Sequence, residues 1–102
     1  MIAGCDALIS ALTPDGALAG TARAISDGVF HGKVLDVIVH PDCRGRGIGA
    51  ELVRRLHEHP ALSECRLVEL ACVDELVPFY EGFGYERADP EHQRMVRKLP
   101  QP

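Results

Sequence analysis

At 102 residues, 46% hydrophobic and 25% charged, the chain has the composition of one ordinary globular domain and is too short for a second. A domain this small buries roughly 65% of the surface its unfolded form exposes, so a surface cleft rather than a deep enclosed cavity is the expected form of any active site. A net charge of −4 with 11 scattered Lys and Arg lacks the basic stripe of a nucleic-acid or anionic-membrane surface, and neither partner is expected.

The opening residues Met1-Ile2-Ala3-Gly4-Cys5 lack the basic region and apolar core of a signal peptide, and no apolar run approaches the length of a membrane span, so a cytoplasmic location is expected. Ala7 to Thr13 and Ala17 to Ser26 are two extended candidates. Between them Pro14-Asp15-Gly16 is a turn, since Pro presets φ and Gly accepts positive φ, and the three pieces predict a hairpin. Asp27-Gly28 marks the next turn. Val34 to Val39 then forms a third strand, apolar at every position but Asp36 and therefore expected at the centre of the sheet, buried on both faces.

After His40-Pro41 the period changes. Ile48, Leu52, Val53 and Leu56 recur at a spacing near 3.6, with Glu51, Arg54, Arg55 and Glu58 turned outward, which predicts an amphipathic helix ending near Pro60. Leu67 to Val73 is a second buried strand. Strand, loop, helix and strand make a βαβ unit whose two strands lie parallel. Asp74 is a candidate N-cap, Pro78 suits a first helical turn, and Phe79-Tyr80 sit in a short helix stopped by Gly82 or Gly84. Arg94 to Leu99 alternates as a final strand.

Cys5, Cys43, Cys65 and Cys72 form no CxxC pair and are too sparse for a disulfide scaffold, so reduced thiols are expected. His57 and His59 point in different directions on a helix, and His31, His40 and His92 have no ligand spacing. No metal site is expected.

The chemistry concentrates in the loop Arg44-Gly45-Arg46-Gly47-Ile48-Gly49. Glycines at alternate positions let the backbone bend tightly and approach a bulky anion with no Cβ in the way. The helix that starts here adds unpaired N–H groups and the positive end of its dipole, and Arg44 and Arg46 add mobile charge. The loop has neither the GxxxxGK[ST] of a P-loop nor the GxGxxG of a dinucleotide fold. By itself a glycine cluster is equally a flexible turn; the buried strand before it and the helix after it favour an anion site.

Val39 to Gly49, followed by Leu52-Val53, resembles motif A of the GNAT superfamily of N-acetyltransferases, with Arg44, Gly47 and Gly49 filling the motif's fixed places. Phe79-Tyr80-Glu81-Gly82-Phe83-Gly84-Tyr85 is similar to the same family's FYxxxGF segment. The resemblance covers Ala7 to Leu99. It implies an α/β (α+β) fold of the acyl-CoA N-acyltransferase type: a single mixed, mostly antiparallel sheet with a central parallel splayed pair and two helices, in one domain over residues 1–102. It also implies acetyl-CoA as co-substrate and a primary amine as acceptor. Val37, Ile38 and Val39 would hold the pantetheine arm as an added strand, and Arg44, Gly45, Arg46, Gly47, Ile48 and Gly49 would hold the pyrophosphate.

For the transfer itself, Tyr80 matches the family's general acid by position, although a tyrosine in a short packed helix also serves as core. Asp36, a lone carboxylate in an apolar strand, is the candidate for handling the amine's proton, and capping a neighbouring backbone or pairing with Lys33 or Arg23 is the alternative. His31 and His40 could take a proton near neutral pH. The family fold normally opens with a strand and two helices that build one wall of the acceptor pocket, and the resemblance starts after them. The expectation is an open acceptor site, a wall supplied by a second subunit, or a start codon placed too far downstream. Exposed strand edges would pair two copies as a homodimer. A domain of the same fold that binds acyl-CoA without catalysis, or serves only as an interaction module, is the rival reading.

Overall fold

The computed structural model describes residues 6–27, 30–89 and 94–98. Strands β1 (Ala7–Leu12) and β2 (Leu18–Ser26) form the expected hairpin. Its turn is closed from both directions: the Thr13 N–H donates to the Ala17 carbonyl at 2.8 Å, and the Ala17 N–H donates to Thr13 Oγ1 at 3.0 Å. β3 (His31–Val39) returns antiparallel to β2. There follow α1 (Ile48–Glu58), a one-turn α2 (Pro60–Ser63), β4 (Leu67–Ala71), a 3-10 turn over Asp74–Leu76, α3 (Val77–Glu81), β5 (Glu86–Asp89) and β6 (Arg94–Lys98).

The six strands lie in the order β1-β2-β3-β4-β6-β5, and β3 and β4 are the parallel neighbours. This is the mixed, mostly antiparallel sheet that the sequence predicts. The details differ at element ends. α1 ends at Glu58, near Pro60 as expected, but Pro60 then opens a further turn of helix, because a proline at a first helical position forfeits no hydrogen bond. Asp74 begins the 3-10 turn and Leu76 precedes α3 without a side-chain cap. β5 is a polar edge strand with no apolar alternation to betray it. Gly28, Leu99, Cys5 and His92 lie outside the described residues.

The core forms on one face of the sheet. Leu52, Val53 and Leu56 of α1, Leu62 of α2, Val77 and Tyr80 of α3 and Met95 of β6 join one buried cluster with Ala22 and Ala24 of β2. Each fully buried leucine contributes about 2 kcal/mol. Small residues in β2 let α1 sit close. A Cβ on Gly20 would stand 2.8 Å from the Ile38 carbonyl oxygen and 3.1 Å from Leu52 Cδ1, so the position admits only glycine without a shift.

The opposite face is open, which corrects the expectation that β3 is buried on both sides. Gly32 and Val34 are buried, but Ile38 is 56% exposed, and Leu8 and Leu12 are exposed on the same side. β4 is likewise one-sided, Val68 and Leu70 being buried between the half-exposed Leu67 and Glu69. A β-bulge explains why the apolar run of β3 misleads. Arg23 faces Asp36 while Ala24 faces Val34, so Leu35 has no partner and the alternation inverts across it. Val34 and Val37 therefore both face the helices, and a one-sided strand acquires the continuous apolar pattern of a two-sided one.

Candidate active site

The parallel ladder opens partway. β3 and β4 pair at His31–Leu67, Gly32–Val68 and Lys33–Glu69, and no pairs follow, although β3 runs on to Val39 and β4 to Ala71. The splayed pair is therefore present. The phase of the other ladder says what lines the gap. The His40 N–H donates to the Ala19 carbonyl at 2.7 Å, which makes Gly20–Val39 and Ala22–Val37 the non-hydrogen-bonded pairs of β2 and β3. The main-chain N–H and C=O groups of Val37 and Val39 consequently turn away from β2 and into the gap, while those of Ile38 bond to β2. Two successive outward residues of this kind accept an extended ligand as they would accept a strand.

At the end of β3 the chain makes a 3-10 turn over Pro41–Cys43, with His40 Nδ1 accepting from the Asp42 N–H at 3.1 Å. Gly45 and Gly47 have φ of 81° and 79°, left-handed conformations that side chains resist. Gly47 caps α1 with no side-chain acceptor. The first helical bond runs from the Glu51 N–H to the Gly47 carbonyl at 3.1 Å, which leaves the N–H groups of Ile48, Gly49 and Ala50 without intrahelical partners. With the dipole behind them these groups are suited to an anion.

Two connected clefts join these parts. A groove of about 690 Å³ runs along Val37 and Val39 between Arg44, Val73, Phe79 and Tyr80. A smaller one of about 220 Å³ lies over Gly45, Gly47, Ile48 and Gly49. The Arg44 guanidinium crosses between them, its Nε donating to the Val39 carbonyl at 3.2 Å. Arg46 is exposed and lines neither cleft. Ile38 borders the groove but sends its side chain to the open face. Phe79 touches both clefts, and in the sequence its only functional signal is its place in the FYxxxGF segment; Val73 and Leu76 carry no functional signal there.

Tyr80 is 7% exposed and borders the groove. Its ring packs edge-on against Phe79 and Tyr85, with centroids 4.9 and 5.7 Å away. Burial, and secondarily the neighbouring Cys72 thiol, raises its phenol above the ordinary value and keeps it protonated. The hydroxyl makes no hydrogen bond among the described residues, whereas that of Tyr85 is engaged by His57.

Asp36 lies on β3 opposite Arg23 of β2 and does not line the groove. Its carboxylate accepts from Arg23, Nη2 to Oδ2 being 2.5 Å and Nε to Oδ2 3.0 Å. Of the two sequence readings, pairing with Arg23 is present. Lys33 is not its partner. His40 is committed to the 3-10 turn and His31 is exposed at the far end of β3, so neither reaches the gap. Cys43, Cys65 and Cys72 are free thiols, and among the described residues no cluster of His, Cys, Asp and Glu is placed to hold a metal ion.

Residues 6–87 match the family described as the acetyltransferase (GNAT) domain. The chain is 38% identical over 74 residues, 72% of its length, to the GCN5-related N-acetyltransferase 2, chloroplastic, of Arabidopsis thaliana, of which the match covers 28%. It is 44% identical over 54 residues, 53% of its length, to the glucosamine 6-phosphate N-acetyltransferase 1 of Oryza sativa subsp. japonica, covering 33% of that protein. The chain thus spans about a third of these curated relatives. A crystal structure from Deinococcus radiodurans, of a protein provisionally described as an acetyltransferase, aligns with a TM-score of 0.76 at 36% identity over 84% of this chain and 59% of that one.

Proposed function

From the premise that this chain belongs to the GNAT acetyltransferase family, we propose that it passes an acetyl group from acetyl-CoA directly to a primary amine within a ternary complex. The observation that carries this reading is the opened ladder. Val37 and Val39 turn their main-chain groups into a gap that leads to the bare N-terminus of α1, a geometry suited to a ligand with an amide-bearing arm at one end and a pyrophosphate at the other. In this reading Val37 and Val39 hold the pantetheine amides. Gly45, Gly47 and the N–H groups of Ile48 and Gly49 receive the pyrophosphate, with Arg44 swinging from the Val39 carbonyl to pair with it and Arg46 contributing charge from solvent.

The thioester then lies where β3 and β4 part, between Tyr80 on the helix side and Asp36 on the open side. The amine nitrogen attacks the acetyl carbon, the new C–N bond forms and the C–S bond breaks. The departing thiolate takes the Tyr80 proton, and the acceptor nitrogen loses its proton to water ordered by Asp36. Most of the acceleration comes from holding donor and acceptor in line, with the phenol adding general-acid assistance.

The related segment is shared by proteins named for different acceptors, so it supports the donor half of the reading and leaves the acceptor class open. The decisive experiment follows the melting temperature with acetyl-CoA and then the release of free CoA thiol against a panel of amines. A rise in melting temperature, as expected of a ligand selective for the native state, with amine-dependent thiol release supports the enzyme. A rise without turnover on any amine replaces it with a domain that binds acyl-CoA, and no rise sinks both.

A further inference from the structure

β1 is the edge of the sheet, and among the described residues nothing pairs with its outer side. The ladder phase identifies which of its groups are exposed there. Because Gly20 and Ala22 turn their main-chain groups away from β3, they bond to Ala11 and Ile9 of β1. The N–H and C=O groups of Leu8, Ser10 and Leu12 therefore point outward. The strand reads Ala-Leu-Ile-Ser-Ala-Leu and has none of the lysines, prolines or inward charges that protect an edge from pairing. Leu8 and Leu12 are 40% and 64% exposed on the open face.

On the helix face of the same edge, a groove of about 510 Å³ lies between β1 and α1. Its floor includes Ile9, Ala11, Ile48 and Leu52, and Glu51 and Arg55 stand on its rim.

We infer that β1 is a homodimerisation edge, pairing antiparallel with β1 of a second copy about a two-fold axis at Ser10. In this register Ser10 faces Ser10 of the second copy, and Leu8 faces its Leu12. Every outward N–H and C=O of those three residues then meets an opposite group, since the residues that face each other are all outward-turned. A shift by one residue would set outward groups against inward ones and lose the ladder.

The side chains fit a copy of the same strand on both faces. On the open face each exposed Leu8 stacks on a Leu12. On the helix face each Ile9 lies beside an Ala11 and extends the apolar floor of the groove across the axis. Asp6 falls opposite Pro14, which has no N–H to donate and ends the ladder. The rim carries both signs of charge, so a second copy does not meet a single-sign field, as an isologous contact requires. The dimer joins two sheets into one and leaves the gap between β3 and β4 uncovered, so it is independent of the proposed acetyl transfer.

The test is sedimentation of the natural chain alongside three variants. Ser10→Pro deletes an N–H that no bond within the chain uses, and an edge strand tolerates proline. Ser10→Cys places two thiols at the axis, with Cα atoms about 5.5 Å apart, within disulfide reach. Ala11→Cys is the mismatched control. The expected result is a dimer for the natural chain, a dimer constant at least an order of magnitude weaker for Ser10→Pro, and oxidative cross-linking of Ser10→Cys beyond that of the natural chain and Ala11→Cys. If Ser10→Pro unfolds, Leu8→Lys serves in its place and should also dissociate the dimer. A natural chain that stays monomeric, or a dimer indifferent to these variants with no Ser10→Cys cross-link, overturns the inference.

Discussion

The Arg23 guanidinium holds the Asp36 carboxylate across β2 and β3, with Nε 3.0 Å and Nη2 2.5 Å from the same oxygen, on the face of the sheet that no helix covers. The pair lies beside the bulge at Leu35, and both side chains remain partly solvated. Such a pair contributes at most about 1 kcal/mol to stability. Asp36→Asn should therefore shift the melting temperature only slightly while lowering kcat/KM for the amine about tenfold, through a lost charge-assisted contact, with the KM for acetyl-CoA unchanged. Steady-state kinetics on both substrates check this, and full activity on a good acceptor removes Asp36 from the mechanism.

Tyr80→Phe keeps the ring contacts with Phe79 and Tyr85 and deletes a hydroxyl that makes no hydrogen bond among the described residues. Stability should change little. If the phenol protonates the leaving thiolate, kcat should fall about 100-fold, the lower end of general-acid effects, with acetyl-CoA binding retained. Unchanged turnover across the pH range would make Tyr80 a core residue alone.

Two glycines of the loop should separate backbone geometry from ligand access. Gly47 has φ of 79°, so Gly47→Ala should cost roughly 1 to 2 kcal/mol in the folded state. Gly49 is helical, and a Cβ there would meet Val39 Cγ2 at 3.6 Å and Phe79 Cζ at 3.8 Å, ordinary contacts. Gly49→Ala should hold or raise the melting temperature, since alanine favours helix by about 1 kcal/mol, while weakening acetyl-CoA by placing a methyl group in the cleft. Thermal denaturation with and without acetyl-CoA measures both effects, and equal ligand affinity in Gly49→Ala would argue against that cleft as the pyrophosphate site.

His57 Nε2 lies 2.8 Å from the Tyr85 hydroxyl, tying α1 to the entry of β5. Burial, reinforced by the Arg97 cation, depresses the imidazole to about 4. A histidine whose folded value lies below its unfolded value near 6.5 contributes its full stability above that unfolded value. The contribution is lost as pH falls from about 6.5 through 4, because the unfolded chain takes up the proton first. Urea midpoints should therefore drop across this window. In a folded His57→Gln variant the drop should be smaller, and an unaltered pH slope would assign the titration to other groups.

The hairpin, the central strand, the α1 stripe and the final strand are legible in the sequence because each carries a strong local period or turn. Leu52, Val53 and Leu56 announce their face through spacing alone, and Gly47 announces a left-handed residue at a helix start. The open face of β3 was not legible, because the bulge at Leu35 acts through the pairing of Arg23 and Ala24, more than ten residues earlier in the chain. Lys33 and Arg23 are both within reach of Asp36 along the sequence, and only the register selects Arg23. The polar β5 is a strand by virtue of its pairing with β6, and pairing leaves no mark on composition.

The outward turn of Val37 and Val39 also bears on how this surface can change over time. A ligand gripped by peptide groups is indifferent to the side chains hung on them, so under the proposed function mutation can recolour the walls of the gap and redirect transfer toward new acceptors while the grip on the donor persists. The vulnerability lies elsewhere: a proline at either position would erase the N–H and blunt the grip in one step. Tolerance of side-chain drift combined with intolerance of proline is the mutational signature to seek in a saturation library of β3.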